Sequence, residues 1–430
     1  MRLNKYRLFI VFLLLISFLK LYFGYPYHHE DADQFYYWGK YLAENGFSQF
    51  YQIDVPNATR ANYPPIINYV LFLTRKFYLL LHEVIWRLHL RISFYYFRRN
   101  TSLFIPWLET KLGAVTINKI PAILADAINS LLIYKLVVLV SKGKRHKLGI
   151  FLAGIFVLSP AVWYSSSIWG QVDGLYILGA LVSLIFLLKE RYLISMLLLL
   201  LSVLTKPTAI YLAPVFFLVY LKKAGWRTWV KAFFLAAVTV LLLYYPFAPG
   251  ENLRWISQFF FGSLGGPLGQ MVNNAFNFWV LPLGFNDFPS TYKVVGISLD
   301  RLGYGLYFLG AIILTSFFLR VKKQMSSKKI ILVGFLFSLL AFLVLPKVHE
   351  RYFYPALIFS LLLAQFGKNW LVIYLLLSSI HFFNLYHFWW IPSFEPLKLF
   401  LSNIMIVKIM VMVEIAIFLY GVVKLVKEKA

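Results

Sequence analysis

An all-α, polytopic integral membrane protein is the fold class this sequence predicts, on three observations. Of its 430 residues 60% are hydrophobic and only 14% charged, whereas soluble domains run near about 45–50% apolar and about 25% charged. Apolar runs of roughly 20 residues, the length that crosses a hydrocarbon core, recur along the chain. The 42 lysines and arginines, which leave a formal net charge of +25, fall mainly in short gaps between those runs. In a soluble protein that charge would point to nucleic acid. Placed between apolar runs it points to orientation in a bilayer, so membrane lipids and not nucleic acid are the expected partners. The absence of cysteine excludes disulfides, a thiolate nucleophile and a thiolate metal site.

Taken in order, about twelve spans are expected, at about 8–25, 121–139, 148–164, 174–188, 192–204, 207–221, 231–245, 302–319, 330–345, 354–366, 370–388 and 401–423. The first is a retained signal anchor, since no small-residue cleavage site follows it. With these spans the basic gaps at Arg2–Arg7, Lys142–Lys147, Lys189–Arg191, Lys222–Arg227, Arg320–Lys329 and Lys424–Lys429 all fall on one side. That side is the cytoplasmic one by the positive-inside rule, and it holds both termini. The other side receives 28–119, 165–173, 246–300 and 347–355. The stretch 64–81 is apolar enough to cross, but one extra crossing would reverse every later loop. It is therefore expected to form an interfacial helix over 68–81, with a second, basic and aromatic one over 86–107. The whole chain reads as a single transmembrane unit, with 28–119 and 246–300 as its long extracytoplasmic loops.

Four stretches on that side carry the chemistry. His28-His29-Glu30-Asp31-Ala32-Asp33 sets three carboxylates and two imidazoles directly after the first span. Asp31 and Asp33 are near 200° apart on a helix, so one can face a cavity while the other caps the helix expected over 34–42. Asn62-Tyr63-Pro64-Pro65 marks a helix start, and Asn62 or Tyr63 can face a substrate. In Trp169-Gly170-Gln171-Val172-Asp173, an indole beside an amide suits a sugar ring, and suits interfacial anchoring equally. In Lys347-Val348-His349-Glu350-Arg351, Lys347 and Arg351 break the orientation rule, which points to a specific anionic partner. Lesser candidates are Asn273 and Asn277 for sugar hydroxyls, Lys206 for a phosphate, and Asp126 as a charge within an apolar run.

Together these stretches resemble the GT-C superfamily of polytopic glycosyltransferases. They are similar in particular to dolichyl-phosphate-sugar-dependent glucosyltransferases and mannosyltransferase-like relatives. Asp31-Ala32-Asp33-Gln34 through Trp38 resembles the family's acidic first loop and the aromatic helix after it. Tyr63-Pro64-Pro65-Ile66 is similar to an aromatic-Pro-Pro-Leu motif with Ile for Leu, and Val348-His349-Glu350-Arg351 to Val-His-Glu-Lys with Arg for Lys. The resemblance implies a catalytic aspartate in the first loop: Asp31 by its spacing to Trp38, or Asp33 by its place at the helix start.

The expected reaction is inverting transfer of a hexose, mannose or glucose, from a polyprenyl-phosphate carrier to an extracytoplasmic glycan, lipid or protein acceptor. Asp31 or Asp33 would be the general base. Lys206, Lys347, His349, Glu350 and Arg351 would surround the carrier phosphate. Asn62, Tyr63, Trp169, Gln171, Asp173, Asn273 and Asn277 would contact substrate. A divalent metal on Asp31, Asp33 and His349 is compatible with the residue types and not required by them. The rival is a transporter or lipid flippase, whose ionisable residues would lie mid-span in repeated halves. No such repeat is visible.

Overall fold

The computed structural model describes residues 2–96, 104–248, 250, 253–263, 269–320 and 325–427. Most of them are helical. In chain order the helices are α1 (Arg2–Gly24), α2 (Glu30–Asn45), α3 (Pro65–Tyr96), α4 (Phe104–Glu109), α5 (Lys111–Asn118), α6 (Ile120–Val140), α7 (His146–Leu158), α8 (Pro160–Trp163), α9 (Asp173–Leu188) and α10 (Tyr192–Thr205). They continue as α11 (Ala213–Lys223), α12 (Trp226–Tyr244), α13 (Leu253–Ser263), α14 (Val280–Leu283), α15 (Leu299–Leu319), α16 (Ser327–Val344), α17 (Tyr354–Leu363), α18 (Lys368–Tyr386), α19 (Glu395–Ser402) and α20 (Ile404–Lys427). The strands are two residues each: β1 (Val272–Asn273) runs parallel to β4 (Val348–His349), and β2 (Lys293–Val294) is antiparallel to β3 (Ile297–Ser298).

Each apolar run expected to span contains a helix, but the helices are not equal. Among the described residues seven are long and apolar enough to cross a membrane, or eight if the pair 146–158 and 160–169, bent by 51°, is one span. The others are short: α9 and α10 have 16 and 14 residues, and α17 has 10. The run at 207–221 begins as a 3-10 turn, Pro207–Leu212, before α11. Proline at the head of this run and at 355 limits helical length there. These segments nevertheless lie inside the bundle, and their brevity makes room for a site.

Helix α16 is apolar all round and nearly wholly buried, as such a helix must be. It packs on α15, α17, α20 and α11. By contrast α12 and α15 turn apolar side chains outward: Phe233 is 80% exposed, Leu242 69% and Phe308 62%. An apolar surface of that extent is a bilayer-facing one. The protein is an integral membrane protein.

The first long loop differs from expectation. In place of two helices, α3 is one helix of 32 residues. Nothing between 81 and 86 breaks it, because Leu81-His82-Glu83-Val84-Ile85-Trp86 has neither Gly nor Pro. An i,i+4 pair between Glu83 and Arg87 bridges the expected gap. Ile67, Leu71 and Tyr78 give α3 its buried stripe. The expected second helix falls partly on 97–103, outside the described residues.

Two lysines pin the end of the bundle that carries the acidic stretch. Lys119 Nζ donates to the carbonyls of Gly24, at 2.6 Å, and Tyr27, satisfying orphan acceptors at the end of α1. Lys20 Nζ lies 2.8 Å from Asp126 Oδ2, both fully buried. Tyr354 donates to Asp126 Oδ1 at 3.2 Å. Asp126 thus ties α1 to α6 and α17. Breaking one partner of a buried pair strands the other charge, at a cost of about 3–5 kcal/mol. Lys20→Met or Asp126→Leu alone will sharply lower the thermal midpoint in detergent, and the double change will recover most of it. A double variant no better than either single would rule out stranded charge as the cause.

Candidate active site

Helix α2 begins at Glu30, so both aspartates sit in its first turn, earlier than the expected 34–42. His29 caps it, its Nδ1 accepting the Asp31 N–H at 3.1 Å. Phe35, Trp38 and Leu42, spaced i, i+3 and i+7, pack on Phe50, Val55, Ile67 and Leu71, which fixes the rotation of the helix. That rotation separates the carboxylates. Asp33 points to Lys111 at 2.9 Å and His28 at 3.2 Å. Asp31 points into the bundle.

What Asp31 meets comes from two other stretches. Residues Tyr164–Trp169 form a π-helical turn ended by Gly170 in the left-handed region (φ 89°). A Cβ on Gly170 would lie 2.9 Å from Ala32 Cβ, so only glycine lets this turn press against α2. The close approach brings Trp169 Nε1 to 3.1 Å from Asp31 Oδ2, and Gln171 Nε2 donates to the same oxygen. On the opposite wall β4 pairs with β1, Val348 against Val272 and His349 against Asn273. A 3-10 turn, Glu350–Phe353, follows. It places Arg351 Nη1 3.7 Å from Asp31 Oδ2 and 2.9 Å from Glu350 Oε1.

Arg351 also lines a cavity of about 1030 Å³. Its polar lining includes Asn62, Tyr63, Lys206, Lys347, His349 and Tyr352. Its apolar and aromatic lining includes Ile210, Tyr211 and Phe217 with Tyr304, Tyr307 and Phe308 of α15. Phe217 and Phe308 are half or more exposed, so the apolar wall reaches the outer surface of the bundle. Lys206 Nζ is 2.6 Å from buried Asp173 and stands 5.7 Å over the rings of Tyr63 and Tyr352. Lys347, at φ 61°, has no ion pair with any described carboxylate.

A family model described as glycosyltransferase family 87 matches residues 119–346, more than half of the chain. The chain belongs to glycosyltransferase family 87. No curated protein matches it. The family 87 match includes the Trp169–Asp173 turn, Lys206, Asn273 and Asn277. Asp31 lies before it, and His349 and Arg351 lie after it. The packing just described joins all three parts.

The electrostatics of this glycosyltransferase follow from burial and pairing. Burial opposes ionisation of Asp31, but Arg351, His29 and the Trp169 N–H together hold its carboxyl below the usual range. Burial likewise opposes Glu350, yet His349 and Arg351 bring its carboxyl down to about 2. Burial, reinforced by Arg351, lowers His349 against the pull of Glu350, so the ring is neutral at pH 7.

The expected site residues therefore divide. Asp31, Trp169, Gln171 and Arg351 meet at one carboxylate oxygen. Asn62, Tyr63, Lys206, Lys347 and His349 line the adjoining cavity, and Asp173 holds Lys206. Glu350 faces Arg351 and His349, as an anion orienting the cation and the imidazole of its own loop. Asn273 and Asn277 are buried behind that loop and do not line the cavity; Asn277 Oδ1 accepts the Trp279 backbone N–H at 3.1 Å. Asp33 is turned away, so Asp31, Asp33 and His349 do not converge as metal ligands. No group of three His, Asp or Glu suited to a metal occurs among the described residues. Sequence reasoning missed Tyr304, Tyr307 and Phe308, whose i, i+3, i+4 aromatic spacing on α15 was the available signal. It also missed Trp389, whose ring centroid is 5.3 Å from that of Trp169 and carries no periodic signal.

Proposed function

We propose that this family 87 protein moves a hexose from a polyprenyl-phosphate carrier to an acceptor hydroxyl, with inversion, outside the cytoplasm. The observation that carries the reading is the junction at Arg351. Its guanidinium lies 3.7 Å from the Asp31 carboxylate and lines a cavity whose walls carry Lys206, Lys347 and Arg351 together with aromatic and aliphatic side chains. A general base and a phosphate-binding fork thus stand on either side of one point. The acceptor oxygen attacks the anomeric carbon and gives its proton to Asp31. The bond from that carbon to the carrier phosphate breaks, and Arg351, with Lys347 and Lys206, neutralises the phosphate as it leaves. Neutral His349 donates or accepts a hydrogen bond there and adds no charge. Asn62 and Tyr63 face the sugar.

Three further features support this reading. An isoprenoid chain suits the aromatic wall of α11 and α15, because that wall continues onto the bilayer-facing surface. The lysines and arginines at 142–147, 189–191 and 222–227 end or follow α6, α9 and α11, at the ends away from Lys119, Asp173 and Lys206, which supports a site facing away from the cytoplasm. Of the two carboxylates paired with Arg351, Glu350 is buried and only Asp31 is part-exposed, which supports one direct displacement over a double one through a second carboxylate. Purified protein in nanodiscs is expected to pass labelled hexose from a synthetic polyprenyl-phosphate hexose to cell-envelope lipid extracts, and not from a nucleotide-diphosphate hexose. Equal transfer from the nucleotide sugar would remove the lipid carrier from the proposal.

A further inference from the structure

Every polar contact to the Asp31 carboxylate falls on one of its two oxygens. Trp169 Nε1 is 3.1 Å from Oδ2, Gln171 Nε2 donates to Oδ2, and Arg351 Nη1 is 3.7 Å from it. His29 Nδ1 is 3.5 Å from the same atom, but its lone pair is already used by the Asp31 N–H. Oδ1 has no partner among the described residues, and the side chain stays 27% exposed. We infer that Trp169 and Gln171 are positioning residues, which grip Asp31 through Oδ2 and leave Oδ1 as the atom that takes the acceptor proton. The inference rests on the reading of Asp31 as the base and deepens it.

Two observations separate this role from sugar contact. Gln171 is fully buried, and its Oε1 has no hydrogen-bond partner among the described residues. Leaving an amide oxygen buried and unpaired is costly. The cost is sustained only if the other end of the amide is needed where it is, on Asp31. Trp169 is only 3% exposed, with its indole stacked 4.4 Å from the His29 ring and 5.3 Å from Trp389. Its N–H therefore cannot swing toward a ligand. The left-handed Gly170 and the π-helical turn set both donors at once. In the transfer step the acceptor O–H proton passes to Oδ1, its electron pair forms the bond to the anomeric carbon, and the bond to phosphate oxygen departs with its own pair.

The test is the titration of Asp31 itself, read by infrared difference spectroscopy on full-length protein in nanodiscs. The carboxyl band is assigned by its loss in Asp31→Asn. Trp169→Phe keeps the ring and removes the N–H, and Gln171→Met keeps the length and removes the amide. Each is expected to raise the Asp31 midpoint by roughly one pH unit, the effect of one lost hydrogen bond to a charged group. Trp389→Phe touches the same ring but donates nothing to Asp31, and will leave the midpoint in place. With the polyprenyl-phosphate donor, kcat should fall in the first two variants while KM stays near wild type. Midpoints unmoved in both, with KM raised, would overturn the inference in favour of sugar contact. Full transfer by Asp31→Asn would instead remove the base and leave the titration as a separate result.

Discussion

Asp31→Asn will lower hexose transfer by about a hundred- to ten-thousand-fold, the range for losing a general base, and Asp33→Asn will keep most of it. Both residues lie in the first turn of α2, and both were candidates by sequence. What separates them is the rotation of that helix, fixed by Phe35, Trp38 and Leu42 against Ile67 and Leu71. Asp33 is spent on Lys111 and His28, and Asp31 reaches Arg351 at the cavity. The active form of Asp31 is the carboxylate, and its pKa is held below the ordinary value of 3.8. The rate should therefore be flat through neutral pH and fall only as the solution becomes acid enough to protonate it. A time course of labelled transfer at several pH values checks both statements. Equal loss in the two variants would show that the base has been misassigned.

Arg351→Met will cost about a hundred- to a thousand-fold in turnover, the range for removing one preorganised charge stabiliser. The residue is shared by two carboxylates, Glu350 at 2.9 Å and Asp31 at 3.7 Å. Without it the leaving phosphate loses its fork, and two buried acids lose their common cation. The same change should shift the acidic limb of the rate profile to higher pH, because Arg351 is the principal influence lowering the Asp31 pKa. Arg351→Lys should recover only part of the rate, since an ammonium keeps the charge and loses the planar fork. A Met variant with wild-type turnover and an unmoved limb would detach Arg351 from both roles.

Several parts of this protein were legible residue by residue. The lengths of α1, α6, α12, α16 and α20 follow from apolar runs, and the start of α3 from Pro64-Pro65. Lys347 and Arg351 stood out because they fall on the side expected to be extracytoplasmic, where the positive-inside rule disfavours a basic pair. Other features were hidden. The continuity of α3 turned on the absence of a breaker in a polar stretch that looked like a gap. That Trp169 and Gln171 donate to Asp31 was hidden too, because nothing local in 165–174 points to the first loop. Lys20 lay unnoticed within the first apolar run, since its partner Asp126 is far along the chain.

By itself the sequence determined the membrane class, the end of the bundle that carries lysines and arginines, and the short polar stretches from which the proposed site is built. These are properties of single segments, set by hydropathy, helix-breaking residues and charge placement. Only the tertiary structure decided which carboxylate faces Arg351, that the Trp169–Gln171 turn holds it, and that α11 and α15 wall an apolar cavity beside it. Those are contacts between segments distant in the chain. They are fixed by how helices rotate and pack to bury apolar faces and to satisfy buried charges, which no single segment encodes.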